Sequence, residues 1–118
     1  MANTQNFYYG VQTHFFALDT DITAGLSSPA FTRNFRVLDA TVFVTNAVPG
    51  AVLTINRVRG ITTTAVAQFD VSGVGRAPIT IDINQTVALF EATDVMQLIS
   101  TGAALDANVI VYLQQFSV

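Results

Sequence analysis

The chain has no lysine, no cysteine and no tryptophan, and it has one histidine and one glutamate. Without cysteine there is no disulfide framework and no thiolate metal site, so the redox compartment goes unread. Charge of either sign is scarce: 11% of 118 residues are charged, against about 25% in a typical soluble domain. The five cations are Arg33, Arg36, Arg57, Arg59 and Arg76, and from Ala77 onward every charged residue is acidic. A net charge of −3 supplies no electrostatic footprint for nucleic acid and none for an anionic membrane surface. No apolar run approaches the roughly 20 residues of a helical membrane span. The opening "MANTQNFYYG" lacks the basic-then-apolar order of a secretory signal.

What is present is apolar and neutral-polar. Hydrophobic residues make up 51% of the chain, with 15 Thr, seven Asn and seven Gln beside them. The length suits one domain, which buries about two-thirds of its unfolded surface. A surface so poor in charge implies that much of it meets protein rather than water.

The dominant hydrophobic period is two, the repeat of a strand. From Val37 to Thr45, Leu38, Ala40, Val42 and Val44 fall on one face, and Val37 and Phe43 join polar residues on the other. Pro49-Gly50 then supplies the fixed and the permissive φ of a type II turn. Val52 to Arg59 alternates Leu53 and Ile55 against Thr54 and Asn56. After Gly60, "ITTTAVAQFDV" places Ile61, Ala65, Ala67, Phe69 and Val71 on one face, and its threonines favour a strand. "SGVGRAP" reads as a turn, and "ITIDI" as a strand with Ile79, Ile81 and Ile83 inward.

"NQTVALFEATDVMQLIS" is open to a helix, since Leu, Met, Glu and Gln are good helix formers. Regular strands on both sides favour strands at Val87 to Phe90 and Val95 to Ile99 with a turn at "ATD". "STGAALDAN" is a loop. In the closing "VIVYLQQFSV", Val109, Val111 and Leu113 alternate with Ile110, Tyr112, Phe116 and Val118, so the strand has a second apolar row. The first 35 residues, with Phe7, Tyr8, Tyr9, Phe15 and Phe16 close together, read as a first strand and long connection, or as an arm. Together these patterns predict an all-β jelly-roll β-sandwich of about eight antiparallel strands with an N-terminal arm. Residues 1–35 form the arm, first strand and connection, and residues 36–118 the sandwich, within one domain overall.

Residues able to do chemistry are few, and each has a structural reading. His14 has no Cys, Lys or second His to work with, and a general base needs an orienting or reacting partner. Asp19 and Asp21 are spaced like calcium-loop carboxylates, but no further ligands, Gly and closing Glu follow. "SGVGRAP" lacks the ending of a phosphate loop and precedes a strand, not a helix. Glu91 has only Asp94 nearby as a second carboxylate for a glycosidase-type pair. Arg57 and Arg59 share one strand face, either to grip a partner's carboxylates or as solvated strand-end charges. Tyr8, Tyr9 and Tyr112 are the aromatic residues available to a sugar-binding platform. The expectation is a non-enzymatic protein with no cofactor and no metal.

"ITIDINQTVALFEATDVMQLISTGAALDANVIVYLQQFSV" resembles the end of small tumour-necrosis-factor-like jelly rolls. There an apolar strand, a short turn ending in an acidic residue, a polar loop and a long apolar final strand follow in order. Many such modules carry Gly before the acidic turn residue, where this chain has Thr93 before Asp94. The resemblance covers residues 37–118 and extends to trimeric decoration (cement) proteins and head-fibre tips of tailed bacteriophages. It implies a homotrimer seated on a capsid lattice, with the major capsid protein as partner and the virion surface as location. It carries no catalytic residue. On that reading Ile110, Tyr112, Phe116 and Val118 are the expected oligomer interface. The expected capsid contacts are Phe7, Tyr8, Tyr9, Phe15, Phe16, Arg57 and Arg59. The alternative expectation is a receptor- or carbohydrate-binding fibre tip.

Overall fold

The computed structural model describes residues 12–21, 25–47, 49–101 and 106–115. Among these there is no helix, only ten strands. They are β1 (Gln12–Asp21), β2 (Leu26–Ser27), β3 (Phe35–Asn46), β4 (Val52–Arg59), β5 (Thr62–Asp70), β6 (Gly75–Arg76), β7 (Ile79–Ile81), β8 (Leu89–Phe90), β9 (Val95–Ser100) and β10 (Asp106–Gln115). The stretch open to a helix is β8, a turn and β9. Its Val95 to Ser100 alternates half-buried and buried residues with period two, which only a strand satisfies.

One sheet runs β1-β10-β3-β6, with β8 also pairing with β3; the other runs β2-β9-β4-β5-β7. Every pairing is antiparallel. The chain folds back about its middle. β4 and β5 form the central hairpin, β3 takes β8, β2 takes β9, and β1 takes β10. Pairs nested in this way around a central hairpin are jelly-roll connectivity, as expected for two packed sheets whose strands alternate in burial. Two short strands, β2 and β6, add to the expected eight.

The inner faces close on one core. From the first sheet come Val37, Val42, Val44, Phe90, Val109 and Val111, and from the second Leu53, Ile55, Ala67, Phe69, Met96 and Leu98, all buried. Phe31 sits at one end against this core, with ring centroids 5.5 Å from Phe35 and 5.1 Å from Phe90.

Two bulges change which residues face inward. On β3, Asp39 lies opposite Tyr112 but Val37 lies opposite Leu113, so Leu38 is the extra residue. The sequence pattern puts Leu38 inside and Val37 outside. The bulge reverses them, leaving Val37 buried and Leu38 38% exposed. On β5, Ala67 faces Ile55 and Ala65 faces Asn56, which makes Val66 the extra residue. Val66 and Ala67 are therefore both buried, whereas Ala65, expected inside, is exposed. Ile61, also expected inside, is fully exposed because it occupies the β4–β5 turn. That turn has Gly60 at φ +61 and Ile61 in the ordinary negative-φ region, as a type II′ hairpin requires. Gly50, at φ +77, occupies the position a type II turn reserves for glycine.

The inward face expected of "ITIDI" is also overturned. Only Ile79–Ile81 form a strand, and all three residues are exposed. β7 is the outermost strand of its sheet, so alternation there has no core beneath it. Ile83 alone of the three isoleucines packs partly against the core.

Candidate functional site

The outer face of the first sheet is built from the long strands β3 and β10. Alternation fixes it: Val109, Val111 and Leu113 are buried, so Ile110 and Tyr112 point to the opposite side, where both remain half-buried. Residues opposite one another in an antiparallel pair share a face. Ile110 therefore lies beside Thr41, Tyr112 beside Asp39, and Asn108 beside Phe43. Phe43 is 49% exposed and, with Leu38 released by the bulge, enlarges the apolar character of this face. On the other flank of β10, β1 places Phe16 opposite Ile110, Phe15 opposite Val111 and His14 opposite Tyr112. Phe15 and Phe16 thus belong to a paired strand of the sandwich. The expected interface residues Phe116 and Val118, and the expected capsid contacts Phe7, Tyr8 and Tyr9, lie outside the described residues.

Arg57 and Arg59 turn toward the segment between β5 and β9. Arg59 Nε donates to Asp94 Oδ1 at 3.0 Å, and its Nη2 donates to Oδ2 at 2.8 Å. The bidentate grip of a carboxylate is present, and its partner is within the same chain. Asp94 is buried, and Oδ2 also accepts the Glu91 backbone N–H at 2.8 Å. Burial pushes the Asp94 carboxyl up. The Arg59 hydrogen bonds, the Glu91 amide and the Arg59 and Arg57 charges outweigh that and hold it below the usual carboxylate range. The hydrogen bonds Arg59 donates to Asp94 correspondingly raise Arg59. Glu91 adds a longer ion pair to Arg59 at 3.7 Å. Arg57 Nη1 donates to the carbonyls of Val87 and Leu89, both at 3.2 Å, while its buried Nε has no partner among the described residues.

This clamp pins the turn Glu91–Asp94. The Asp94 N–H donates to the Glu91 carbonyl at 3.0 Å, closing a β-turn whose third residue, Thr93, has φ +80. A β-branched residue in that region is strained, and a type II turn ordinarily has Gly there. Phe31 ties the same turn to the sheet edge. Its carbonyl accepts the Thr93 N–H at 2.7 Å, and its N–H donates to the Asp94 carbonyl at 2.8 Å. Glu91 and Asp94 are therefore brought together as counter-ions of one guanidinium. A carboxylate held ionised by arginine is suited to anchoring a loop, not to donating a proton.

Sequence reasoning placed the two arginines on one face but missed Asp94 as the anchor of Arg59, because 35 positions separate the two. The acidic residue ending "FEATD" was the available signal. A second feature was not expected from the sequence. A cleft of about 460 Å3 opens beside Asp39 to Val42 of β3 and is also lined by Phe69 and by Arg76 to Ile79. Among the described residues no group of three or more His, Cys, Asp or Glu could hold a metal ion.

Fold and surfaces together define the chain as a jelly-roll β-sandwich with Phe43, Ile110 and Tyr112 among polar residues on an outer sheet face and an internally clamped turn. In comparisons with known proteins, no family model, curated protein or solved structure matches it.

Proposed function

We propose that this protein is a structural virion component: a capsid decoration protein that self-associates, as a trimer, and binds neighbouring subunits of the major capsid protein. The observation that carries this reading is the second apolar row of β10. Ile110 and Tyr112, with Phe43 and Leu38 beside them, line the outer face of a sheet in a chain with 11% charged residues. Fully covering a side chain of this size from full exposure contributes about 1.5–3 kcal/mol, and these part-exposed residues each contribute a fraction of that, so several per subunit are needed for a stable oligomer. Jelly-roll connectivity agrees with the sequence resemblance to trimeric decoration proteins.

The experiment is native mass spectrometry of the full chain at micromolar concentration, followed by co-sedimentation with undecorated capsids. A trimer that pellets with capsids is the expected result. A monomer would overturn the self-association. A folded oligomer that ignores capsids but binds on a glycan array would replace capsid decoration by a carbohydrate-binding head. For the N-terminal aromatics, the full chain with Phe7, Tyr8 and Tyr9 replaced by serine leaves β1 intact and is expected to lose capsid binding. Undiminished co-sedimentation would remove them from the contact.

A further inference from the structure

Between Gly75 and Ile81 the chain leaves one sheet and joins the other. β6 pairs with β3 at Phe43 and Val44, and the Ala77 N–H donates to the Val42 carbonyl at 2.8 Å. One residue later the Pro78 carbonyl accepts the Asp70 N–H at 3.0 Å, and β7 continues along β5. This crossing leaves two strand edges open. The outer side of β3 is paired with β8 at Phe35 and Arg36 and with β6 at Phe43 and Val44. The Val37 N–H also donates to the Ala88 carbonyl at 3.0 Å, and among the described residues no strand pairs with Leu38 to Thr41 between these contacts. In the second sheet, β7 is the last strand. The cleft of about 460 Å3 lies against both edges, within the size of pockets that hold ligands. Val42 and Phe69 line it as buried apolar residues, Ile79 is exposed along it, and Asp39, Asp82 and Arg76 are its charged residues.

We propose that this cleft is a strand-addition site for an extended, basic segment of a different protein. An open strand edge offers main-chain hydrogen bonds to an added strand, and alternate side-chain contacts give it selectivity. At Ala40 the edge N–H already donates to the Asp39 carboxylate at 2.8 Å. An incoming chain therefore meets an anionic acceptor at that point. Two carboxylates outweigh one guanidinium on the cleft, and the whole chain carries a net charge of −3. A second copy is a poor source of the opposite charge. It has no lysine, and of its five arginines Arg57 and Arg59 are committed to the 87–94 segment. Basic side chains on an added strand cover Pro78 and Ile79 with their aliphatic stems while their heads reach Asp39 and Asp82.

The inference rests on the reading of this chain as one that docks on another protein, and it specifies that partner's chemistry. The test is an NMR titration of the isotope-labelled full chain with three blocked peptides. These are Thr-Lys-Val-Lys-Val-Thr, its glutamate counterpart, and the lysine peptide with backbone N-methylation. Amide shifts confined to residues 39–42 and 76–82, with the lysine peptide only, are the expected result. Asp39→Asn and Asp82→Asn should each weaken that binding about two- to fivefold. No binding, shifts elsewhere, equal binding of the glutamate peptide, or equal binding of the N-methylated peptide would each overturn strand addition. The oligomeric state, read on the same samples, separates the two ideas. An intact oligomer without peptide binding removes this site and leaves self-association standing. A monomer that binds the lysine peptide does the reverse.

Discussion

Replacing Asp94 by asparagine keeps the size of the side chain and removes its charge. In the native turn its two oxygens serve three donors: Arg59 Nε, Arg59 Nη2 and the Glu91 N–H. Asparagine has one oxygen. If that oxygen takes the place of Oδ2, it keeps Nη2 and Glu91, but the new amide N–H2 points at the Nε–H donor. If it takes the place of Oδ1, two donors are left facing the amide. Either orientation loses at least one hydrogen bond to a charged group, worth about 1.5–3 kcal/mol. The Arg59 side chain is 41% exposed and regains water, which keeps the cost inside that range and below the larger penalty of a fully buried broken pair. For a domain of this size the melting temperature should fall by about 6–12 °C. Urea unfolding at fixed protomer concentration measures it, since association would otherwise shift the midpoint. A double-mutant cycle with Arg59→Gln should return a coupling of at least about 1 kcal/mol. A loss below about 0.5 kcal/mol, or additive single effects, would refute the clamp as the anchor of the turn.

Thr93→Gly should stabilise the fold by about 0.5–1.5 kcal/mol, because it relieves a β-branched residue at φ +80 and loses part of that gain to the more flexible unfolded chain. A lower urea midpoint for this variant would contradict the account of the turn. The Asp94 carboxyl titrates lower in the folded chain than in the unfolded one. Its contribution is therefore complete above about pH 4 and is lost as pH falls through the folded value. The urea midpoint of wild type should fall more steeply below pH 4 than that of Asp94→Asn, and parallel curves would dismiss this group as the cause. Tyr112→Arg on the outer face should leave the monomer folded by circular dichroism while dissociating the oligomer in sedimentation velocity, and an unchanged sedimentation coefficient would clear Tyr112 of the interface. Phe90→Ala, at a fully buried ring between Phe31 and the core, should cost about 3–5 kcal/mol in the same unfolding assay. A loss under about 1 kcal/mol would contradict that packing.

The sequence by itself determined the class of fold. Period-two alternation in Val52–Arg59 and Asp106–Gln115, with Gly50 and Gly60 between strands, leaves strands as the consistent solution there, whereas Val95–Ser100 stayed open to a helix until the sheet placed it as β9. It also determined that Ile110 and Tyr112 lie on the face of β10 opposite Val109, Val111 and Leu113, since side chains on a strand can only alternate. Tertiary structure decided what alternation cannot encode. A single extra residue at Leu38 and another at Val66 reversed faces on either side of them, and nothing local marks where a bulge will fall. Position within a sheet exposed Ile79 and Ile81, because an edge strand has the pattern of a core strand without a neighbouring layer to cover it. The pairing of Arg59 with Asp94 came from folding β4 beside β9, which brings together charges that are distant along the chain. Burial and long-range pairing belong to the assembled sheets, and those three-dimensional neighbours fix the surfaces by which this protein can meet others.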